Sequence, residues 1–208
     1  MDQTEKFWDR IAPRYSRRPI SDEAAYLKKL DITREYLNPD STVLELGCGT
    51  GSTAIAHAPY VKHIHAIDIS SKMIEIALDK ARDRNIENVT FEKSSIDELA
   101  IPDQSVDAVL ALSVLHLLEN RGDVIKKINR LLKPGGVFIS STFCIGNSSV
   151  LFKIILPIGK FLRLMPTVKL FNKEELLADL SHAGFSIDHL WQPDKGKSIF
   201  LVAKKSHD

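Results

Sequence analysis

A short apolar run at residues 42–46 leads directly into three glycines at alternate positions, Gly47, Gly49 and Gly51. Glycine reaches backbone conformations that other residues avoid, and its missing side chain lets another molecule approach the main chain. A helix-compatible stretch follows as far as Ala58, and the first N–H groups of a helix have no partners within it. The pattern therefore predicts a strand, a turn that can bind a ligand and a helix, in this order.

A carboxylate, Asp68, lies near the end of the second predicted strand, residues 63–69, seventeen positions after Gly51. An acid at this place can accept hydrogen bonds from both hydroxyls of a ribose in nucleotide-binding sheets. Together, the glycine turn and the acid favour a nucleotide-containing ligand. The alternative is a tight turn beside a surface aspartate that binds nothing.

Strands and helices alternate along most of the chain. The other predicted strands are 89–92, 106–112, 137–142, 185–191 and 198–204, and the later helices are 71–85, 124–132 and one capped by Asn172 that runs to His182. The residues Lys133-Pro134-Gly135-Gly136 are expected to break the chain before the strand at 137–142. Alternation implies parallel strands with helices on both faces, whereas the last two strands are too close for a crossover. We expect an α/β fold, a Rossmann-like, doubly wound and mostly parallel seven-stranded sheet with an antiparallel C-terminal hairpin.

Four motifs in this order resemble those of the class I S-adenosylmethionine-dependent methyltransferases. They are ELGCGTG at residues 45–51, AIDIS at 66–70, LAIPDQSVD at 99–107 and LLKPGG at 131–136. The segment FWDRIAPRY at residues 7–15 is similar to the start of the quinone-biosynthesis and related small-molecule branch of that family. The resemblance implies S-adenosyl-L-methionine as cofactor and methyl transfer by in-line displacement to a small or lipid-like, partly apolar acceptor.

The resemblance also implies a set of cofactor-binding residues. Gly47, Cys48 and Gly49 would pass beneath the methionine part, Glu45 would orient its ammonium group, and Asp68 would hold the ribose. The full set is Tyr15, Glu45, Gly47, Cys48, Gly49, Gly51, Asp68, Ile69, Met73, Ser95, Ile96, Ala111 and Leu112. Ser95 departs from the aspartate that the family usually has at the edge of the adenine.

Histidines provide the candidates for other chemistry. His116, four residues beyond the strand at 106–112, is the candidate general base, and the alternative is a helix-face histidine without a catalytic role. His63 and His65 share one face of a strand, but the sequence offers no third ligand, so no metal site is predicted.

The resemblance divides the chain into one methyltransferase domain, 1–208, with four parts. These are an N-terminal helical cap at 1–40, a cofactor-binding core at 41–142, a variable lid at 143–171 and a C-terminal helix and hairpin at 172–208. Within the lid, residues 150–166 have an amphipathic helical pattern with Pro157 as an expected kink. Three interpretations stay open for it: a cap packed on the body, a wall of the acceptor pocket, or a helix that makes peripheral contact with a membrane.

Charge is balanced overall and uneven along the chain. Lysine and arginine number 28 against 27 acidic residues, which excludes a uniformly basic protein and argues against general nucleic-acid binding. Residues 124–173 nevertheless contain nine basic residues and no acid. This asymmetry favours an anionic or amphipathic acceptor, and the alternative is a solvated basic face.

Two further function classes compete with methyl transfer. An NAD(P)-dependent oxidoreductase shares the sheet, although the spacing G-x-G-x-G differs from the usual G-x-G-x-x-G. A non-catalytic, cofactor-binding partner subunit would keep the same motifs. Residues 1–10 are not followed by an apolar signal core and only Cys48 and Cys144 are present, so we expect a cytoplasmic protein with free thiols.

Overall fold

The computed structural model describes residues 3–144, 168–193 and 198–206. Within these ranges, helices and strands alternate as expected. The helices are α1 (Gln3–Tyr15), α2 (Glu23–Arg34), α3 (Ser52–His57), α4 (Ser71–Asp83), α5 (Arg121–Leu131) and α6 (Lys173–His182). The strands are β1 (Thr42–Leu46), β2 (His63–Asp68), β3 (Val89–Lys93), β4 (Val106–Leu112), β5 (Leu132–Phe143), β6 (Phe185–Trp191) and β7 (Ser198–Lys205).

The strands form one sheet in the order β3-β2-β1-β4-β5-β7-β6. The pairs from β3 to β5 are parallel, whereas β7 runs antiparallel to both β5 and β6. The predicted fold class is therefore confirmed, including the C-terminal hairpin. Chain order reverses between β1 and β4, and the carboxyl ends of parallel strands at such a point form a crevice in which ligands bind.

Each face of the sheet packs against its own hydrophobic cluster. Val43 of β1 faces a cluster with α3 and α4, and its neighbour Leu44 faces a cluster with α5 and α6. This alternation follows from the two-residue period of a strand. Because helices cover both faces, most strand residues are buried, and the polar side chains that remain at the strand ends are available for a site.

The expected break at residues 133–136 is present as an interruption of the pairing, but it lies inside β5 rather than before it. β5 begins at Leu132, directly after α5, and Leu132 pairs with Val106 before the register shifts at Ala108. Gly135 has a φ of +72°, and a Cβ on Gly136 would lie 2.9 Å from the carbonyl oxygen of Lys133. The two glycines therefore interrupt the pairing inside a long strand, because Leu132 pairs with Val106 and the pairing resumes only at Val137 with Ala108.

The C-terminal helix begins as predicted. The side chain of Asn172 accepts a hydrogen bond from the N–H of Glu175, and the Glu175 carboxylate accepts one from the N–H of Asn172. This reciprocal pair satisfies two N–H groups at the helix start. The helix stops before Gly184, whose φ is +84°.

The predicted amphipathic helix at 150–166 and its kink at Pro157 lie outside the described residues, and the division of the chain into four parts stays a prediction. Two helices occupy residues 3–34, in the segment expected to form the N-terminal cap. Among the residues that the structure describes, no helix combines the length and the apolar character needed to cross a membrane.

His57 makes the stability of the fold depend on pH. Its side chain is fully buried, neither ring nitrogen has a hydrogen-bond partner in the described structure, and burial and the nearby Arg34 lower its pKa to about 4. In the unfolded chain His57 is protonated below about pH 6.5, whereas in the folded chain it is protonated only below about pH 4. The free energy of unfolding therefore falls as the pH drops through this window. We expect a loss of about 2 kcal/mol between pH 7 and pH 5, measured by urea unfolding.

The matched variants are His57→Leu and His182→Leu, because His182 is an exposed histidine at the end of α6. His57→Leu is expected to remove most of this pH dependence, and His182→Leu is expected to keep it. Equal pH dependence in both variants would contradict the assignment.

Candidate functional site

A cavity lies at the carboxyl ends of β1, β2 and β4, where the chain order of the sheet reverses. It is lined by nine of the residues predicted to bind the cofactor: Tyr15, Gly47, Gly49, Asp68, Ile69, Met73, Ser95, Ile96 and Leu112. Residues from distant parts of the sequence thus meet at one place. The cavity is the candidate binding site.

The turn after β1 forms the floor of the cavity. Gly47 has a φ of +62°, and a Cβ at this position would lie 2.8 Å from Cγ2 of Val114. Neither the backbone conformation nor the space tolerates a side chain. The N–H of Cys48 donates to the carbonyl oxygen of Ile67, 3.0 Å away, which ties the turn to β2.

Gly51 is a glycine for a different reason. Its φ is +73°, and a Cβ there would lie 2.8 Å from Cβ of Ala77 in α4 and 2.8 Å from the ring of Phe91 in β3. Gly51 does not line the cavity. The residue is therefore needed for close packing of the turn against α4 and β3, which corrects its placement among the residues that face the ligand.

Asp68 is held by the backbone on both sides. The N–H of Gly49 donates to its Oδ2 and the N–H of Ser70 donates to its Oδ1, each at 2.9 Å. Burial raises the pKa of this carboxyl, and the two N–H groups act in the opposite direction. Each carboxylate oxygen has a second lone pair, so Asp68 can still accept two hydroxyl groups from a ligand.

Glu45 is a buried carboxylate, only 3% exposed, and its Oε2 has no hydrogen-bond partner in the described structure. Burial, together with the negative charge of Asp68, raises its pKa to about 8. A buried acid with an open oxygen is costly unless a cationic group neutralises it. Glu45 therefore fits a ligand that brings an ammonium group to the end of β1.

The loop after β3 lines another side of the cavity. The hydroxyl of Ser95 donates to Oε2 of Glu98 at 2.9 Å, so this side chain is engaged in a local turn. Asp97 lines the cavity two residues later. Sequence reasoning missed Asp97, although a carboxylate so close to the departure at Ser95 is a signal that could have pointed to it.

Helix α1 covers the cavity with Thr4, Trp8 and Tyr15. These residues share one helical face, a pattern that could have identified Thr4 and Trp8 beside the predicted Tyr15. Asp9 fixes α1 to the start of α4, because its Oδ1 accepts hydrogen bonds from the Ser70 hydroxyl at 2.6 Å and from the Lys72 N–H at 3.1 Å. Helix α1 is therefore tied to the element next to Asp68.

Five predicted site residues do not line the cavity: Glu45, Cys48, Gly51, Ala111 and His116. The side chains of Cys48 and Ala111 belong to the two hydrophobic clusters. Burial raises the pKa of the Cys48 thiol well above its usual range. The side chains of Cys48 and Ala111 therefore pack into the core and do not face the cavity.

His116 lies in a short 3-10 helix, Leu115–Leu117, rather than on an α-helix. Its Nδ1 is 3.3 Å from Oγ1 of Thr142, and its ring meets the ring of Phe143 edge to face. Burial lowers its pKa, so the imidazole is neutral near pH 7. The flanking Leu117 lines the cavity, which places His116 beside the site rather than in its wall.

The paired histidines of β2 have partners on β3. Nε2 of His65 lies 2.7 Å from Oε2 of Glu92, and Nε2 of His63 lies 3.1 Å from Oγ1 of Thr90. Across the described ranges, no group of three or more His, Cys, Asp or Glu side chains is arranged to hold a metal ion. These histidines therefore act as cross-strand partners.

Comparisons with known proteins agree with this geometry. A family model described as a methyltransferase domain matches residues 37–200. The chain is 38% identical over 102 residues to the 27-O-demethylrifamycin SV methyltransferase of Amycolatopsis mediterranei, covering 48% of this chain and 38% of that protein. It is 30% identical over 113 residues to the ubiquinone/menaquinone biosynthesis C-methyltransferase UbiE of Vibrio campbellii, covering 52% of this chain and 44% of that protein.

The alignments therefore span less than half the length of these two relatives. Among solved structures, the YcgJ protein of Bacillus subtilis superposes with a TM-score of 0.72 at 18% identity, covering 86% of this chain and 98% of that one. At this identity the likeness concerns the fold. The family model matches well over half of the 208 residues, and the chain belongs to this family of methyltransferase domains.

Proposed function

We propose that this protein binds S-adenosyl-L-methionine in the cavity and directs its methyl group to a small or lipid-like, partly apolar acceptor by in-line displacement. The observation that carries this proposal is the pairing of Glu45 and Asp68 around a glycine floor. Glu45, directly before the lining residues Leu46 and Gly47, is a buried carboxylate whose open oxygen suits an ammonium group at the base of the cavity. Asp68 lines the cavity, and its free lone pairs suit a ribose. A nicotinamide dinucleotide has no ammonium group for Glu45.

The residues of the cavity fit the cofactor part by part. Gly47 and Gly49 leave room for its methionine part, and Asp68 accepts the ribose hydroxyls. Met73 and Ile96 offer apolar surface to the adenine, and Asp97 can accept a hydrogen bond from its amino group. When bound, the cofactor supplies an electrophilic methyl group on a positively charged sulfur.

The residues of the chain position the reacting groups and exclude water from them. Displacement at a methyl carbon requires the acceptor atom close to that carbon and in line with the leaving sulfur, so positioning accounts for much of the rate. Trp8 and Tyr15 of α1 cover the cavity, and Tyr15 lies beside Gly49 with its Cε1 3.9 Å from where a Cβ would stand. A cover of aromatic rings excludes water from the reacting groups.

The acceptor side of the cavity is apolar. Leu112, Val114, Leu117 and Leu118 line it between β4 and α5. The names of the two curated relatives refer to a rifamycin and to quinone biosynthesis, and both support an organic acceptor with an apolar body. We therefore propose an acceptor of this kind, and peripheral membrane contact through residues 150–166 where that acceptor is lipid-like.

We also propose a cytoplasmic location, because Cys48 and Cys144 are free thiols in the structure. Secreted domains more often join their cysteines in disulfides. Fractionation of cells that express the full chain tests this location.

Calorimetry tests the cofactor. S-adenosylhomocysteine, which has the same ammonium and ribose groups, is expected to bind with measurable heat, and NAD is expected to give none. The opposite result would contradict the proposal in favour of an oxidoreductase. Labelled-methyl transfer into cell extract, separated into lipid, small-molecule and macromolecular fractions, then identifies the acceptor class. Binding without transfer to any fraction would instead favour a partner subunit.

We propose His116 as the base for an acceptor that must lose a proton. The ring is neutral near pH 7 because burial lowers its pKa, and a neutral imidazole can accept a proton. The change His116→Asn is expected to lower kcat about 10²-fold without changing the affinity for S-adenosylhomocysteine. His182→Asn, on the exposed end of α6, is the control. An unchanged kcat and pH profile would remove His116 from the chemistry.

A further inference from the structure

Helix α2 packs on the face of the sheet that α3 and α4 also cover, and it carries an ammonium group to the end of β5. Nζ of Lys29 donates to Oγ of Ser141 near the end of β5, 2.8 Å away. One turn earlier, Tyr26 hydrogen bonds with Thr53 and lies close enough to Glu45 of β1 to respond to its charge. Residues three apart share a helix face. Tyr26 and Lys29 therefore lie on the same face of α2.

The Lys29 ammonium has more donors than partners. It carries three N–H groups. In the described part of the chain, its hydrogen bond goes to one neutral hydroxyl, and the ion pairs within 4.0 Å do not include it. The side chain is half-buried, and burial lowers its pKa, whereas the negative charge of Asp22 at the start of α2 acts in the opposite direction. Because no carboxylate pairs directly with this half-buried cation, its remaining N–H groups are available to an anion.

Other cations in the body differ from Lys29 in this respect. Lys133 forms an ion pair with Asp107, its Nζ 2.8 Å from Oδ1. Lys127 donates to the carbonyl oxygens of Ile96 and Leu99. Both belong to the basic segment 124–173, so part of that segment's charge is already neutralised or used for structure. Lys29 lies outside the segment and is the stronger candidate for a ligand.

The ammonium lies next to the cavity wall. Ser141 is the register partner of Leu112, which lines the cavity, and adjacent strands are about 5 Å apart. The N–H of Ser113 donates to the carbonyl oxygen of Ser141 at 2.6 Å. Ser113 is exposed, lines the cavity and has a φ of +63°, a conformation that non-glycine residues avoid. The bond between Ser113 and Ser141 thus joins the Lys29 position to the cavity.

We propose that Lys29 binds an anionic group, a carboxylate or a phosphate, of the methyl acceptor, with Ser141 holding the ammonium in place. This rests on the proposed methyl transfer and narrows its acceptor to an acid with an apolar body. The apolar body would lie against Leu112 and Leu117, and the anionic end would reach α2. Lys29 is then a specificity-determining residue.

The test uses the full chain saturated with S-adenosylhomocysteine. Its lysines are dimethylated with a ¹³C label, which keeps their charge. The Lys29 signal is assigned by its absence from Lys29→Arg. Acetate and inorganic phosphate are then titrated in parallel, so that the two arms distinguish a carboxylate from a phosphate. We expect the Lys29 signal to shift saturably and its pKa to rise with at least one anion.

Lys28 is the matched control, because it is exposed and its Nζ lies over the Trp191 ring, 4.3 Å from the centroid. Its signal is expected to stay unchanged. Lys29→Met is expected to bind the effective anion at least tenfold more weakly than Lys28→Met does, with unchanged affinity for S-adenosylhomocysteine.

Equal shifts at Lys28 and Lys29, or no shift with either anion, would overturn the proposal while leaving the cofactor site intact. Should Lys29→Met fail to fold, the titration of the wild-type chain still decides, because it needs no loss of Lys29. A chain that does not bind S-adenosylhomocysteine would overturn the proposed function itself, which is a separate outcome.

Discussion

Replacing Asp68 by alanine is expected to weaken the binding of S-adenosylhomocysteine by about 4 kcal/mol, on the order of 10³-fold. The loss has two sources. The ribose hydroxyls lose a charged acceptor, at about 1.5–3 kcal/mol for each hydrogen bond. The N–H groups of Gly49 and Ser70 lose the carboxylate that holds them at 2.9 Å, so the glycine floor is no longer fixed to the start of α4. Calorimetric titration measures the change.

Asp83→Ala is the control for this prediction, because Asp83 is an exposed aspartate at the far end of α4. Its affinity is expected to equal that of the wild-type chain. Thermal unfolding of both variants separates a lost contact from a lost fold. Wild-type affinity in folded Asp68→Ala would remove Asp68 from the site.

The second large effect concerns Glu45 and pH. In the free protein, burial and the charge of Asp68 raise its pKa to about 8, so the carboxyl is mostly protonated at pH 6. A ligand ammonium favours the ionised form, and binding therefore releases a proton. Affinity for S-adenosylhomocysteine is expected to rise about tenfold per pH unit from pH 6 toward pH 8. The binding enthalpy is expected to depend on the ionisation enthalpy of the buffer.

Glu45→Gln keeps the shape of the side chain and removes both its charge and its proton. We expect this variant to bind S-adenosylhomocysteine several hundred-fold more weakly at pH 8, because the ammonium is left unpaired at a cost of about 3–4 kcal/mol. Its affinity is expected to be flat between pH 6 and pH 8. A wild-type protein whose affinity is equally flat would show that no cationic group reaches Glu45.

Local patterns were sufficient to predict the sheet. The glycine turn, the acid that ends β2 and the short gap between β6 and β7 are each contained in a few consecutive residues, and the structure confirms the fold that they predicted. The start of β5 was not predictable in this way. Glycines and a proline usually end a strand, and β5 begins before them only because Leu132 pairs with Val106 on another strand.

The candidate site was partly predictable for the same reason. Asp68 and Gly47 belong to motifs that are continuous in sequence. Asp97 and Trp8 enter the cavity from separate elements, so a local signal can mark each residue alone but does not predict that both line the same cavity. The burial of Glu45 between two neighbouring strands and the contact of Lys29 with Ser141 both depend on residues that are distant in sequence, which no short segment of a single sequence reveals.

The N–H of Ser70 donates to Asp68, and the hydroxyl of Ser70 donates to Asp9 of α1. These two hydrogen bonds couple the binding of a ligand at Asp68 to the docking of α1. A ligand that fixes the position of Asp68 also fixes Ser70, to which α1 is hydrogen bonded through Asp9. Coupling of this kind is reciprocal. The free energy by which the docked helix strengthens ligand binding equals the free energy by which the bound ligand strengthens the docking of the helix. Helix α1, Gln3–Tyr15, would then dock more firmly on α4 when the ligand is bound and less firmly when it is absent.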